Sequence, residues 1–269
     1  MMRMTRIMRK QIWAAAFCLA FSALACKGVR DAGSGDGTEA KGARRSEYRL
    51  LEGTALELTA VRIQGEEPDS PGEGGTLYIV GGIHGDEKAG WMAGELLKYM
   101  EISAGTLYIV SPANRYGAGK DQRNTKEDRD LNRNFPGDPD GCDAERIAWA
   151  IYSDIRDKKP DLALDLHEAR PGGENRDALG NSVICQSPGG IGDLVLEILT
   201  KSAEGDMCSG AFTLYGSPPP GSINRIVTDE LGIPVMTVET FREDDLEIRV
   251  KNHLEIARLA MRYCGLLGD

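Results

Sequence analysis

The chain is poor in histidine. Among its 269 residues there are three: His84, His167 and His253. A site built from many imidazoles is excluded, so any imidazole chemistry runs through these. Cysteine is sparse too, six in all, and no two stand as Cys-x-x-Cys, which argues against a cysteine-ligated zinc. Positive charge is short: 32 Lys and Arg against 42 Asp and Glu give a net charge of −10. That balance disfavours nucleic acid as a partner. The apolar run over residues 11–25 is shorter than the roughly 20 residues that a comfortable membrane-spanning helix needs.

What is present suits a folded domain. Hydrophobic residues make up 41% and charged residues 28%, the proportions of a globular chain able to bury a substantial core. The N-terminus departs from this. Arg3, Arg6, Arg9 and Lys10 stand in a stretch without acid, ahead of the apolar run. Residues 1–25 therefore read as a signal peptide. The run ends Ala23-Leu24-Ala25-Cys26, which resembles a relaxed bacterial lipobox with Cys26 as the lipidated first residue of the mature chain. The alternatives are ordinary secretory cleavage after Ala25 or an uncleaved anchor. Lipidation implies an exported, membrane-anchored bacterial lipoprotein facing the periplasm or cell surface. Removing residues 1–25 takes away four positive charges and no negative ones, so the net charge goes from −10 to −14. Residues 26–47, mostly small and charged, read as a flexible lipid-anchored tether, and residues 48–269 as the folded domain. Outside the cytoplasm Cys142, Cys185, Cys208 and Cys264 either form up to two disulfides or stay as buried thiols.

Periodicity predicts the elements. Residues 56–63 alternate like a strand. Thr76-Leu77-Tyr78-Ile79-Val80 recurs as Thr106-Leu107-Tyr108-Ile109-Val110, but the flanks differ, so these are two buried strands and not a repeat. Residues 88–99 between them have helical composition, giving the strand–helix–strand unit of a parallel sheet. Further helices are predicted over 143–156, 191–201 and 246–267, the last carrying His253 as a structural residue. Further strands are predicted over 162–166, 182–185, 211–214 and 235–239. The fold class is α/β: a single domain with a mostly parallel or mixed central sheet flanked by helices. Ligands gather beyond the carboxyl ends of such strands, where His84, His167 and Glu239 all fall.

Two segments there suggest chemistry. Gly81-Gly82-Ile83-His84-Gly85-Asp86-Glu87 places His84 and Glu87 three residues apart after a strand, with glycines that permit close backbone approach. Taken alone, it also fits a helix N-terminus whose acids favour the dipole. Asp165-Leu166-His167 ends the second segment; alone, His167 fits a hydrogen-bonded core histidine. Together, His84, Glu87 and His167 form a sufficient protein ligand set for a catalytic zinc, with a fourth position left for water. Glu239 ends an apolar strand, where a carboxylate is costly unless paired or used.

The segment Asp130-Leu131-Asn132-Arg133-Asn134-Phe135-Pro136-Gly137 joins these motifs. In combination and order they resemble the zinc carboxypeptidase superfamily, and within it the succinylglutamate desuccinylase/aspartoacylase branch, from about Leu77 to Glu239. The resemblance implies a zinc carboxypeptidase-like fold and one zinc ion, held by His84, Glu87 and His167. It implies Glu239 as the general base and Arg123, ten residues before Arg133, as the arginine that polarises the carbonyl. Arg115 and Arg129 are rivals for that role. Asn132 and Arg133 would hold a substrate carboxylate, for which a planar guanidinium is suited. Residues 221–224, Gly-Ser-Ile-Asn, look like the specificity segment of the carboxypeptidases. Tyr215 lies near the place of their mobile tyrosine, although Pro218-Pro219-Pro220 blurs the register and a packed aromatic is an equal alternative.

The implied activity is zinc-dependent hydrolysis of an amide bond near a free carboxylate, on a small molecule or a peptide. Aspartoacylase-type members usually add a C-terminal β-rich domain, whereas residues 240–269 read as one helix. This implies an open site better suited to peptides. A non-catalytic surface-lipoprotein binding module on the same fold is the alternative.

Overall fold

A computed structural model describes residues 43–66, 74–171, 179–186, 190–206 and 210–268. All lie in one compact unit, Lys41–Asp269. The expected signal peptide, Cys26 and most of the tether fall outside the described residues. No helix among the described residues is long and apolar enough to cross a membrane.

The strands are β1 (Arg44–Leu50), β2 (Leu58–Gln64), β3 (Thr76–Gly81), β4 (Thr106–Val110), β5 (Leu162–Ala169), β6 (Ser182–Ile184), β7 (Thr213–Tyr215) and β8 (Val235–Phe241). The helices are α1 (Lys88–Leu97), α2 (Arg115–Lys120), α3 (Asp143–Lys158), α4 (Gly192–Glu204), α5 (Ile223–Leu231) and α6 (Leu246–Tyr263), with a 3-10 turn at Leu131–Arg133. The strands form one sheet in the order β1-β2-β4-β3-β5-β8-β6-β7. Its centre, β4-β3-β5-β8, is parallel, and antiparallel pairings flank it on both sides. The fold is thus a single α/β domain with a mixed sheet flanked by helices.

The recurring pentapeptides pair with each other. Thr76 to Val80 lies beside Thr106 to Val110 residue for residue, in parallel. Tyr78 and Tyr108 consequently stack, with ring centroids 6.1 Å apart. From Leu77 to Val80 β3 is fully buried, each large apolar side chain contributing roughly 1.5–3 kcal/mol.

Register divides the sheet into two faces. Tyr78, Val80, Ala163 and Val235 pack under α3 and α5. Successive strand residues alternate faces, so Asp165, His167, Thr237 and Glu239 project to that side as well. Helices α1, α4 and α6 cover the other face.

The sheet begins earlier than the sequence suggests. Strand β1 starts at Arg44, inside the expected tether, and pairs with β2 along its whole length. Its charged residues Arg44, Arg45 and Glu47 are exposed on a sheet edge, where charge discourages further strand addition. Among the described cysteines, Cys142, Cys185 and Cys264 carry free thiols; Cys208 lies outside the described residues.

Candidate metal centre

The loop leaving β3 carries His84 and Glu87, and tight backbone packing shapes it. Gly82 adopts φ +73°, a conformation that favours glycine. A Cβ on Gly85 would come within 2.0 Å of the Gly117 backbone in α2. Glu87 occupies the N-cap position of α1 without capping it by its side chain. Glu168 on β5 takes that task, accepting from the Ala89 backbone N–H at 3.2 Å. In return the Glu168 backbone N–H donates to Glu87 at 3.1 Å, tying the two strand ends together.

The ligand-type side chains converge. His84 Nδ1 lies 2.9 Å from Glu87 Oε1 and 3.1 Å from His167 Nδ1. His167 Nδ1 lies 2.7 Å from Glu87 Oε2. All three residues are buried. The far nitrogens meet carboxylates: His84 Nε2 is 2.9 Å from Asp130 Oδ1, and His167 Nε2 is 2.8 Å from Asp165 Oδ2. An ionised carboxylate only accepts, so Asp130 and Asp165 fix a proton on each Nε2, and with a cation between the rings each Nδ1 would present its lone pair inward. Two imidazole lone pairs and one carboxylate within 4.8 Å of one another are a donor set that fits a divalent cation. Carboxylates behind the ligating imidazoles are the usual outer support of such sites.

Electrostatics follow from this crowding. Burial alone would raise the Glu87 pKa, but His84 and His167 outweigh it and hold the carboxyl well below its ordinary range. Burial would lower His167, but Asp165 and Glu87 outweigh it and push the imidazole well above its ordinary value. Asp130 is shifted down, its partners His84, Arg123 and Arg133 overcoming its partial burial.

Glu239 stands on β8 directly beside His167 on β5. It keeps some solvent access, yet protein surrounds its carboxyl closely. Burial, opposed by His167 and His84 and reinforced by Glu87 and Asp165, pushes it up to about 7. Arg123 reaches the centre, its Nη1 3.0 Å from Glu87 Oε1 and its Nη2 3.1 Å from Asp130 Oδ2. Its rival Arg115 instead donates to the Glu57 carbonyl.

The expected carboxylate clamp is divided. Asn132 is buried, with Nδ2 3.3 Å from His167 Nε2 and Oδ1 accepting from the Ile223 backbone N–H at 3.0 Å. Arg133 is exposed and its Nη1 donates to the Asn132 carbonyl at 2.8 Å. Tyr215 lies on β7, opposite Ile184 on β6, which is opposite Thr237 on β8. It is two strands out from β8, about 10 Å, and level with Thr237, one strand-face repeat short of Glu239. Sequence reasoning assigned no role to Asp130 and Asp165. The Asp-x-His pattern on a strand could have signalled the second, because positions i and i+2 share a face.

Comparison with known proteins agrees with this architecture. Residues 73–177 match the model of the succinylglutamate desuccinylase/aspartoacylase catalytic domain. The segment belongs to that branch of the zinc carboxypeptidase-like fold. Within the branch, a stretch of 100 residues is 38% identical to the N-alpha-acetyl-L-2,4-diaminobutyric acid deacetylase of Halomonas elongata, covering 36% of this chain and 29% of that relative. The succinylglutamate desuccinylase/aspartoacylase structure from Rhodobacter sphaeroides superposes with a TM-score of 0.61 at 19% identity, over 88% of this chain and 70% of that one. The tripeptide-bound cell shape determinant protein Csd4 of Helicobacter pylori gives 0.62 at 17% identity, over 78% and 56%. These two structures share the branch's fold.

Proposed function

We propose that the domain is a zinc-dependent amidohydrolase cleaving an amide bond next to a residue with a free carboxylate, either as an N-acyl amino acid deacylase or as a carboxypeptidase. The observation that carries this reading is the convergence of His84, Glu87 and His167 at the sheet rim, with Glu239 in register beside them. The deacetylase named for the Halomonas relative and the tripeptide held by Csd4 support the two substrate classes.

When bound, zinc supplies Lewis acidity, polarising the amide carbonyl and lowering the pKa of the attacking water. Glu239 accepts the water proton and passes it to the leaving amine; its raised pKa suits a group that must both take and give a proton. Arg123 hydrogen-bonds the developing oxyanion. Arg133, exposed at the mouth, takes the substrate carboxylate in a two-pronged contact. Asn132 fixes the turn that presents Arg133.

The same reading places the enzyme outside the cytoplasm, tethered through Cys26. Its support is the sequence of residues 3–26. Metabolic labelling with a fatty-acid probe tests the tether: the wild type takes up label and Cys26→Ser does not.

The test of activity is mass-spectrometric hydrolysis of N-acyl amino acids, C-terminal peptides and cell-wall stem peptides, with and without chelator. Chelator-sensitive release of an acyl group makes the protein a deacylase; loss of a C-terminal residue makes it a carboxypeptidase. Glu239→Gln is expected to retain zinc and lose about 100- to 10,000-fold in turnover. No cleavage by the zinc-loaded protein would favour a binding module on the same fold.

A further inference from the structure

We propose that Arg242 is a positioning residue for the metal centre: anchored on Asp86, it holds the Glu87 carboxylate in its ligating place. The inference rests on the metal reading above and adds a residue that the sequence motifs do not mark.

Arg242 follows β8 directly, three residues after Glu239. Its backbone N–H donates to the carbonyl of Ala169, the last residue of β5, at 3.0 Å. Its Nη1 donates to Asp86 Oδ2 at 2.9 Å. Asp86 stands next to Glu87 in the loop leaving β3. In the sheet β5 separates β3 from β8, so this bond crosses the rim from one outer strand to the other. The loop of His84 and Glu87, the strand of His167 and the strand of Glu239 thus meet at one arginine.

The rest of that guanidinium is left without partners. Nε and Nη2 are shielded from solvent and have no hydrogen-bond partner among the described residues. Nη2 stands 3.7 Å from Glu87 Oε1, and Nε 3.8 Å from Glu168 Oε2. Both are ion-pair distances, too long for hydrogen bonds. A guanidinium cannot shed its protons, and buried donors are nearly always paired. Glu168 is already served, its Oε1 accepting from Arg249 and from the Ala89 backbone N–H. Glu87 is the carboxylate with a use for Arg242.

That use follows from the chemistry of the ligands. Glu87 Oε1 lies 2.9 Å from His84 Nδ1 and accepts from Arg123 Nη1 at 3.0 Å. An imidazole that lends its Nδ1 lone pair to a cation has no proton there for Glu87. In the proposed reaction Arg123 serves the oxyanion. Arg242 Nη2 is the donor that remains beside Oε1, and its hold on Asp86 and Ala169 keeps it there. Arg170 provides a contrast. It donates to the same Asp86 oxygen at 3.0 Å, but its side chain is 55% exposed against 24% for Arg242. Among the described residues it makes no ion pair with Glu87.

Two measurements test this without turnover: zinc affinity by competition with a chromogenic chelator, and the visible spectrum of the cobalt-substituted protein. Arg242→Gln is expected to bind zinc about 10- to 100-fold more weakly, the scale for losing an outer support of a ligand. Its cobalt bands should shift, because the ligand itself is displaced. Arg242→Lys keeps the charge, but one ammonium cannot reproduce the planar fork between Asp86 and Glu87. It should fall between the two in affinity, and it keeps the inference testable if Arg242→Gln does not fold. Arg170→Gln should match the wild type in both measurements. Folded Arg242 variants with wild-type affinity would overturn the assignment. Weaker binding with unshifted cobalt bands would overturn it too, marking Arg242 as support for the fold alone, and so would an equal loss in Arg170→Gln. Each of these results leaves the metal reading standing, whereas a wild type that binds no zinc would overturn both.

Discussion

Asp165 and His167 stand two residues apart on β5, and the His167 Nε2–H donates to Asp165 Oδ2 at 2.8 Å. The contact fixes the ring tautomer and turns Nδ1 towards Glu87 and His84. Asp130 does the same for His84 from the loop ahead of the 3-10 turn. Asp165→Asn keeps the shape and removes the charge. It is expected to weaken zinc binding about 10- to 100-fold, read by competition with a chromogenic chelator. Unchanged affinity would show that Asp165 does not orient the ligand.

Arg123 is the arginine among the three candidates that touches both Glu87 and Asp130. Arg123→Ala is expected to lower kcat about 100- to 1000-fold, the cost of one oxyanion donor. Arg115→Ala, whose guanidinium meets the Glu57 carbonyl, should leave kcat near the wild-type value. Steady-state kinetics at saturating zinc separates them, and equal losses would reject the assignment.

The parallel core is legible in the sequence because it is purely apolar: Leu77 to Val80 and Leu162 to Leu164 need no context to read as buried strands. Strand β1 is not legible. Arg44, Arg45, Glu47 and Arg49 have the composition of a solvated linker, and the strand forms because backbone pairing with β2 does not depend on side chains. The centre divides in the same way. His84, Glu87 and His167 can be named from spacing at strand ends. Their contacts with Asp130 and Asp165 depend on how a loop and a strand face meet in space. The position of Tyr215 was obscured by three consecutive prolines and by a strand only three residues long.

His253 supplies a pH dependence that is separate from catalysis. It is fully buried on α6, with Nε2 3.2 Å from the Thr240 hydroxyl. Burial, aided by the charge of His167, lowers its pKa from 6.5 to about 3. Below pH 6.5 the unfolded chain takes up a proton that the folded chain refuses until about pH 3. Stability therefore falls as pH drops through that window, and His253 adds no slope above it. His253→Gln should flatten this acid limb. Urea midpoints of metal-free wild type and variant at pH 7, 5.5 and 4.5 check it; parallel curves would remove His253 as the cause.

Asp154 on α3 joins two strands that are not neighbours. Its Oδ2 accepts from Tyr48 on β1 at 2.6 Å and from Tyr78 on β3 at 2.8 Å, with Lys158 3.7 Å from the other oxygen. Tyr78 is wholly buried, so its hydroxyl has no water to turn to. Asp154→Leu would strand that hydroxyl and weaken the anchoring of β1, at a cost of about 2–4 kcal/mol in urea unfolding. Asp154→Asn keeps an acceptor and should cost less. Tyr48→Phe removes one donor from a partly exposed side chain and should cost about 1 kcal/mol. None of these groups touches the metal ligands, so zinc affinity should stay at the wild-type value in every folded variant. A fall in zinc affinity along with stability would mean that this cluster and the metal centre are mechanically coupled through β3.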